Sequence, residues 1–337
     1  MDKLLEIRDL HTSFFTHVGE VKAVRGVNID LYQGEAIGIV GESGCGKSVT
    51  SLSIMGLVPS PGKVIKGEIY FNGEDLLKKS EKEMQKIRGN KIAMIFQDPM
   101  TSLNPVYTIG DQLMEPLRTH KNMDKNAARE KAIGLLKEVR IPDPERRLKQ
   151  YPHEFSGGMR QRVMIAMALS CQPELIIADE PTTALDVTIQ AQILELMKEL
   201  KEKFNTSIML ITHDLGIVAD LCSRIVVMYA GIIVEEGSVR DIFYNPKHPY
   251  TWGLLKSIPK VNMTSKERLV PIEGQPPDLL KPPEGCPFMP RCRYAMRICE
   301  QQCPGLYSVS GRHKAACWLL DPRAPAVEWD REGVSLK

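Results

Sequence analysis

Apolar positions recur along the chain with two periods. Short, nearly unbroken apolar runs predict buried strands: EAIGIV (35–40), KIAMIF (91–96), ELIIAD (174–179), SIMLIT (207–212) and RIVVMYAG (224–231). GEIYFNG (67–73) predicts a strand ending in an Asn-Gly turn, and IIVEEG (232–237) closes a hairpin on the strand before it. Helical spacing appears over 126–139, with Ala128, Ile133, Leu136 and Val139 in register. It appears again over 188–204, where Ile193, Leu196, Met197 and Leu200 share a face. Strands alternating with helices predict a mostly parallel α/β sheet, with β-rich text up to about residue 98 and a helical block from about 100 to 160 as an insertion. After about residue 245, Pro-rich stretches such as GQPPDLLKPPEG break the periodicity and lead into a cysteine-rich tail.

Composition narrows the field. At 337 residues the chain is long enough for about two domains, and 43% hydrophobic with 26% charged residues is that of a soluble globular protein. Lys and Arg (44) nearly balance Asp and Glu (42), so no broad cationic field exists to grip nucleic acid. The opening MDKLLEIRDL carries charges every few residues, unlike a secretory signal, and no apolar run reaches the roughly 18–20 residues of a membrane helix. The eight cysteines are therefore expected in a reducing compartment, without a disulfide framework.

Between a predicted strand and a predicted helix lies Gly41-Glu42-Ser43-Gly44-Cys45-Gly46-Lys47-Ser48, followed by Val49, which fits G-x4-G-K-[ST]. Its glycines let backbone N–H groups turn inward around phosphates at a helix N-terminus. Lys47 is expected on the β- and γ-phosphates, and the Ser48 hydroxyl on Mg²⁺. ELIIADE supplies Asp179 at a strand end as a second Mg²⁺ ligand, with Glu180 placed as general base for an attacking water. Gln97 and His213 each follow a strand, where Gln97 reaches Mg²⁺ and the water and His213 the γ-phosphate.

FSGGMRQR (155–162), beside that loop and PELIIADEPTTALD (173–186), completes a set that resembles the ATP-binding subunit of an ABC transporter over roughly residues 5–245. The resemblance implies a P-loop NTPase (RecA-like) core with an antiparallel β N-terminal part and a helical insertion. It makes Gly41 to Ser48 the Walker A loop and Gln97 the Q-loop glutamine. Ser156, Gly157 and Gly158 become the signature loop, and Asp179 the Walker B aspartate. Glu180 is the catalytic glutamate, Ala184-Leu185-Asp186 the D-loop and His213 the H-loop histidine. One copy of each motif implies a dimer, with ATP closed between one subunit's Walker A loop and the other's signature loop. Met159 stands where the family usually has Gln. Cys45 stands where small residues are usual, making its oxidation a potential block to nucleotide. An aromatic from the first strand stacks on adenine in the family, which points to Phe14, with Phe15 next; either ring fits a core equally well.

QDPMTSLNPVYTIGDQL (97–113), NPKHPYTWGLLKSIP (245–259), GCPFMPRC (285–292) and HKAACWL (313–319) are similar to the dipeptide/oligopeptide importer branch. That branch implies a second ABC ATPase subunit, two membrane permeases, an extracytoplasmic peptide-binding protein and a place on the cytoplasmic face of the membrane. The expected division is a nucleotide-binding domain over 1–250, its helical subdomain at about 100–165, and a small irregular, metal-binding C-terminal domain over 251–337. In that tail Cys286, Cys292, Cys299 and Cys317 offer four thiolates, enough for Zn²⁺ or an iron–sulfur cluster, and their spacing does not choose. The resemblance favours [4Fe-4S] over zinc, in a structural role, with Cys303 outside the set. Buried, reduced thiols are the plainer alternative. The rival function is a soluble ABC ATPase of DNA repair or ribosome recycling; such proteins usually carry two nucleotide domains or a long coiled-coil insertion, and this chain has neither.

Overall fold

The computed structural model describes residues 2–97, 102–183, 185–257, 271–327 and 329. Among them the strands in chain order are β1 (Lys3–Thr16), β2 (Gly19–Tyr32), β3 (Ala36–Val40), β4 (Gly62–Phe71), β5 (Glu74–Asp75) and β6 (Ile92–Ile95). Then follow β7 (Leu175–Asp179), β8 (Ser207–Thr212), β9 (Arg224–Tyr229), β10 (Ile232–Ser238), β11 (Tyr307–Ser310) and β12 (His313–Ala315). The helices are α1 (Lys47–Met55), α2 (Glu81–Ile87), α3 (Ile109–Lys121), α4 (Lys125–Glu138), α5 (Pro144–Arg147) and α6 (Gly157–Leu169). They continue as α7 (Val187–Phe204), α8 (Leu215–Leu221), α9 (Val239–Tyr244), α10 (Pro249–Lys256) and α11 (Arg297–Gln301). None of these is long and apolar enough to cross a membrane. The chain divides into two compact units: Met1–Asp2, Tyr32–Glu35 and Lys78–Ile211 form one, and Lys3–Leu31, Ala36–Leu77 and Thr212–Lys337 the other.

In the first unit β7 pairs in parallel with β6 (Ile92 opposite Leu175) and with β8 (Leu175 opposite Ser207). All five residues of β7 are buried, which is why it reads as an unbroken apolar run rather than an alternating one. The helical block folds as α3 to α6. Thr108 caps α3 by accepting from the Asp111 N–H, and Asp124 caps α4 by accepting from Asn126 and Ala127. The faces anticipated from spacing are the buried ones: Ala128, Ile133 and Leu136 in α4, and Ile193, Leu196, Met197 and Leu200 in α7.

The second unit holds an antiparallel sheet in the order β2-β1-β4-β5, with Leu5 opposite Phe71 and Ile7 opposite Ile69 on its buried face. A second set runs β3-β9 parallel, then β9-β10, β10-β12 and β12-β11 antiparallel. The tail is thus less irregular than its Pro-rich text suggests, because two of its short strands extend the sheet beyond β10. Apolar and polar contacts hold it there. Phe288 packs edge-on against Tyr229, ring centroids 5.3 Å apart, and tilted against Tyr250 at 5.4 Å. Glu235, fully buried, accepts from the N–H groups of Lys247 (2.6 Å) and His248 (3.0 Å) and lies 2.8 Å from His313 Nε2.

His248 caps α10, its Nδ1 accepting from the Tyr250 N–H at 3.0 Å, so this ring is the neutral tautomer. Burial lowers its pKa from the ordinary 6.5 to about 3. Between those values the unfolded chain binds a proton that the folded chain refuses, so stability falls as pH drops below about 6.5. A lone group of this kind steepens the pH dependence by about 1.4 kcal/mol per pH unit. His248→Asn keeps a capping oxygen without the titrating ring. Urea titrations between pH 6.5 and 5 are expected to show a flatter stability slope for this variant than for the wild type; equal slopes would remove His248 as the cause.

Candidate active site

The phosphate loop lies wholly in the second unit. All five residues of β3 are buried, so the chain leaves the sheet at a fixed point and turns through Gly41 to Gly46 into α1. Gly46 has φ 99°, and a Cβ there would lie 2.4 Å from the Ala23 carbonyl oxygen, so only glycine fits. The N-cap of α1 is Gly46, which has no side chain to cap the helix. A Cβ on Gly44 would meet nothing within 4 Å, and the loop opens there. Lys47 is buried, its Nζ donating to the carbonyls of Gly41 (2.7 Å) and Glu42 (3.0 Å). Ser48 and Val49 continue the first turn of α1. Cys45 is 4% exposed, and burial pushes its thiol pKa up, which favours the unreactive protonated form.

The carboxylates lie in the first unit. Asp179 ends β7 and is buried. Glu180 follows at φ 46°, a left-handed conformation uncommon for a residue with a side chain. It is held by its own N–H donating to the Ile211 carbonyl (2.8 Å) and by its carbonyl accepting from the Thr183 N–H (3.2 Å). Its Oε2 accepts from Gln97 Nε2 at 2.9 Å and from the Thr183 hydroxyl at 2.9 Å. Residues 83 positions apart are thereby brought together. Thr183 was not singled out from sequence, although its position three residues after the acid in a turn is a usable signal.

Ser156 caps α6, its Oγ accepting from the Met159 N–H at 3.4 Å, and Asp186 caps α7 by accepting from Ile189 at 3.0 Å. Gly157 and Gly158 open α6, and a Cβ on Gly158 would come within 2.8 Å of the Ile189 side chain. The signature turn and the first turn of α7 therefore pack directly. Ala184 of the D-loop and residues 98–101 of the Q-loop stretch lie outside the described residues. His213, exposed, follows β8 in the second unit. In β1, Phe14 is half-buried, facing Gly62, whereas Phe15 is 43% exposed with Lys63 Nζ 4.8 Å above its ring.

The metal expectation for the tail is not upheld. Among the described residues no three His, Cys, Asp or Glu side chains gather in a way that could hold a metal ion, so Cys286, Cys292, Cys299 and Cys317 are not assigned to an iron–sulfur cluster or to zinc. Burial pushes the thiols of Cys286 and Cys317 up to about 12 and raises Cys292 and Cys303 as well. The segment instead forms backbone bonds of its own, Cys286 N–H to the Cys299 carbonyl at 2.7 Å among them.

The sequence matches the ABC transporter family over residues 24–183 and the oligopeptide/dipeptide transporter C-terminal region over residues 234–299. It is 59% identical to the dipeptide transport ATP-binding protein DppD of Bacillus subtilis, over 96% of this chain and 97% of that protein. It is 53% identical to the oligopeptide transport ATP-binding protein OppD of Escherichia coli, over 93% of each. Among solved structures it resembles the ATP-binding cassette MJ0796 in a dimeric post-hydrolysis state bound to ADP and Pi. That similarity has a TM-score of 0.63 and 29% identity, over 70% of this chain and 99% of that one.

Gly46→Ala is expected to weaken ADP binding at least tenfold, about 1.4 kcal/mol, because the methyl drives the loop off the Ala23 carbonyl. Isothermal titration checks this, with the circular dichroism spectrum expected unchanged; wild-type affinity would show that the loop tolerates a side chain there.

Proposed function

The chain belongs to the ATP-binding subunits of ABC transporters, in the dipeptide and oligopeptide transporter group, and from that membership we propose that it hydrolyses ATP to drive di- and oligopeptide uptake through membrane permeases. The observation that carries the hydrolytic assignment is the fixing of one carboxylate oxygen of Glu180 by both Gln97 and Thr183, beside Asp179. A general base works when its geometry is set before the substrate arrives.

The residues fit a magnesium nucleotide. The uncapped start of α1 and the buried Lys47 suit phosphate oxygens, and the hard oxygen donors of Ser48, Gln97 and Asp179 suit Mg²⁺, which when bound supplies positive charge against the phosphates. Gly41, Glu42, Ser43, Gly44, Cys45 and Gly46 present the backbone, and Lys47 reorients from the loop carbonyls to the β- and γ-phosphates. Glu180 takes the proton of the attacking water, Gln97 orients that water, and His213 holds the γ-phosphate. Phe14 or Phe15 stacks on the adenine. Ser156, Gly157 and Gly158 serve the nucleotide of a second ATPase subunit, with Asp186 in the same closure. Residues 1–250 form the nucleotide-binding domain, whose helical part at about 100–165 docks two permeases on the cytoplasmic face, and 251–337 form the C-terminal extension. An extracytoplasmic binding protein delivers the peptide. The match of residues 234–299 to a peptide-transporter region weighs against the soluble rival in DNA repair or ribosome recycling.

Glu180→Gln is expected to bind ATP, to accumulate as the closed dimer and to turn over at least a hundredfold more slowly. Phosphate release and size-exclusion chromatography with ATP measure both effects. Turnover within a factor of two of wild type removes Glu180 as the base. Ser156→Ala tests the partner's contribution: the reading expects hydrolysis to fall while nucleotide binding by the isolated subunit stays intact.

A further inference from the structure

The phosphate-loop pattern leaves position 42 open to any residue. Glu42 nevertheless has its backbone and its side chain both engaged. Its N–H donates to Tyr250 Oη at 2.8 Å, and its carbonyl accepts from Lys47 Nζ at 3.0 Å. Its two carboxylate oxygens accept from Arg291 Nη1 (2.7 Å) and Nη2 (3.0 Å), a bidentate pair bridging 249 positions of sequence.

Arg291 has little freedom to do anything else. Its side chain is 4% exposed. Nε donates to the Glu273 carbonyl at 2.9 Å, Nη2 also to the Ile272 carbonyl at 3.0 Å, and Nη1 also to Tyr229 Oη at 3.2 Å. The guanidinium lies 5.8 Å from the Tyr229 ring centroid and 5.9 Å from that of Phe288. A guanidinium so committed fixes whatever it grips. What it grips is the residue whose carbonyl holds the phosphate-binding lysine.

We propose that Arg291 is a positioning residue of the nucleotide loop, through which the C-terminal region sets how tightly ATP is held. The proposal rests on the ATPase reading of this loop and adds a part to it. Arg291 neutralises the Glu42 carboxylate and keeps it away from Lys47. Once Arg291 is removed, an uncompensated carboxylate remains in the loop, competing for the Lys47 ammonium and repelling incoming phosphate. A mere staple between tail and domain would affect stability and leave affinity alone.

The test uses the full chain with ADP and ATP in Mg²⁺. Arg291→Ala is expected to weaken ADP binding and raise the KM for ATP about tenfold, with kcat changed less than twofold. Glu42→Gln combined with Arg291→Ala is expected to recover more than half of that loss, since the orphaned charge is gone. Arg293→Ala, whose exposed side chain meets Glu273 only at 3.8 Å, is expected to bind as wild type does. Wild-type affinity in Arg291→Ala, or no recovery in the double variant, overturns the proposal. If Arg291→Ala does not fold, Arg291→Lys carries the test. It keeps the charge without the fork and is expected to weaken ADP binding a few-fold, so unchanged affinity in a stable Lys variant also overturns it. A wild-type chain that binds no nucleotide at all fails the ATPase reading instead, and that result is read before any variant is made.

Discussion

A loop that is to receive phosphate on its amides must take most of its shape from carbonyls, side chains and neighbouring elements, so that the remaining N–H groups are ordered in advance. The surroundings of Gly41 to Ser48 follow from that constraint. The Gly231 N–H donates to the Cys45 carbonyl at 3.0 Å, anchoring the loop to the β9–β10 hairpin. Lys47 ties together two of the loop's carbonyls, and Tyr250 and Arg291 hold Glu42 from outside the motif. The N-cap position of α1 is itself a glycine, so the loop adds no side-chain cap of its own there.

The carboxylates of the first unit are held by other means. Asp179 needs no loop, because a buried strand delivers it directly. Glu180 does need a turn, and the turn takes a backbone conformation that costs on the order of 1–3 kcal/mol. Bonds at both ends of the residue, from its N–H to Ile211 and from Thr183 to its carbonyl, hold it there. The strain sits at the residue where the chain leaves β7. Two hydrogen bonds to one carboxylate oxygen then fix the side chain as well.

Local chemistry was the legible part. The loop glycines, the strand-terminal acids, Gln97 after its strand and the apolar faces of α4 and α7 follow from spacing within a few residues, the range over which helix and strand periods operate, whereas Ser156 and Asp186 came only through the family resemblance. Long-range pairings leave no such trace. Nothing in GESGCGKS points to Tyr250 or Arg291. The tail cysteines show the opposite error. Four thiols in one short tail read as a ligand set, but a thiol is also a small apolar group. Burial governs here: Cys299 and Cys317 both lie in the interior, and desolvation pushes the Cys317 thiol up. In β1, period-2 alternation gives Phe14 and Phe15 different environments, and sequence alone does not say which face is open.

The Arg291 contact also constrains the direction of influence between tail and loop. Binding linkage is reciprocal, so whatever free energy the C-terminal region contributes to nucleotide affinity, nucleotide returns to the C-terminal region. Arg291 draws on the carbonyls of Ile272 and Glu273 and on the ring of Phe288, and Phe288 touches Tyr229 and Tyr250. A phosphate that pulls Lys47 away from the Glu42 carbonyl therefore changes the hydrogen bonding of one residue that this whole cluster grips.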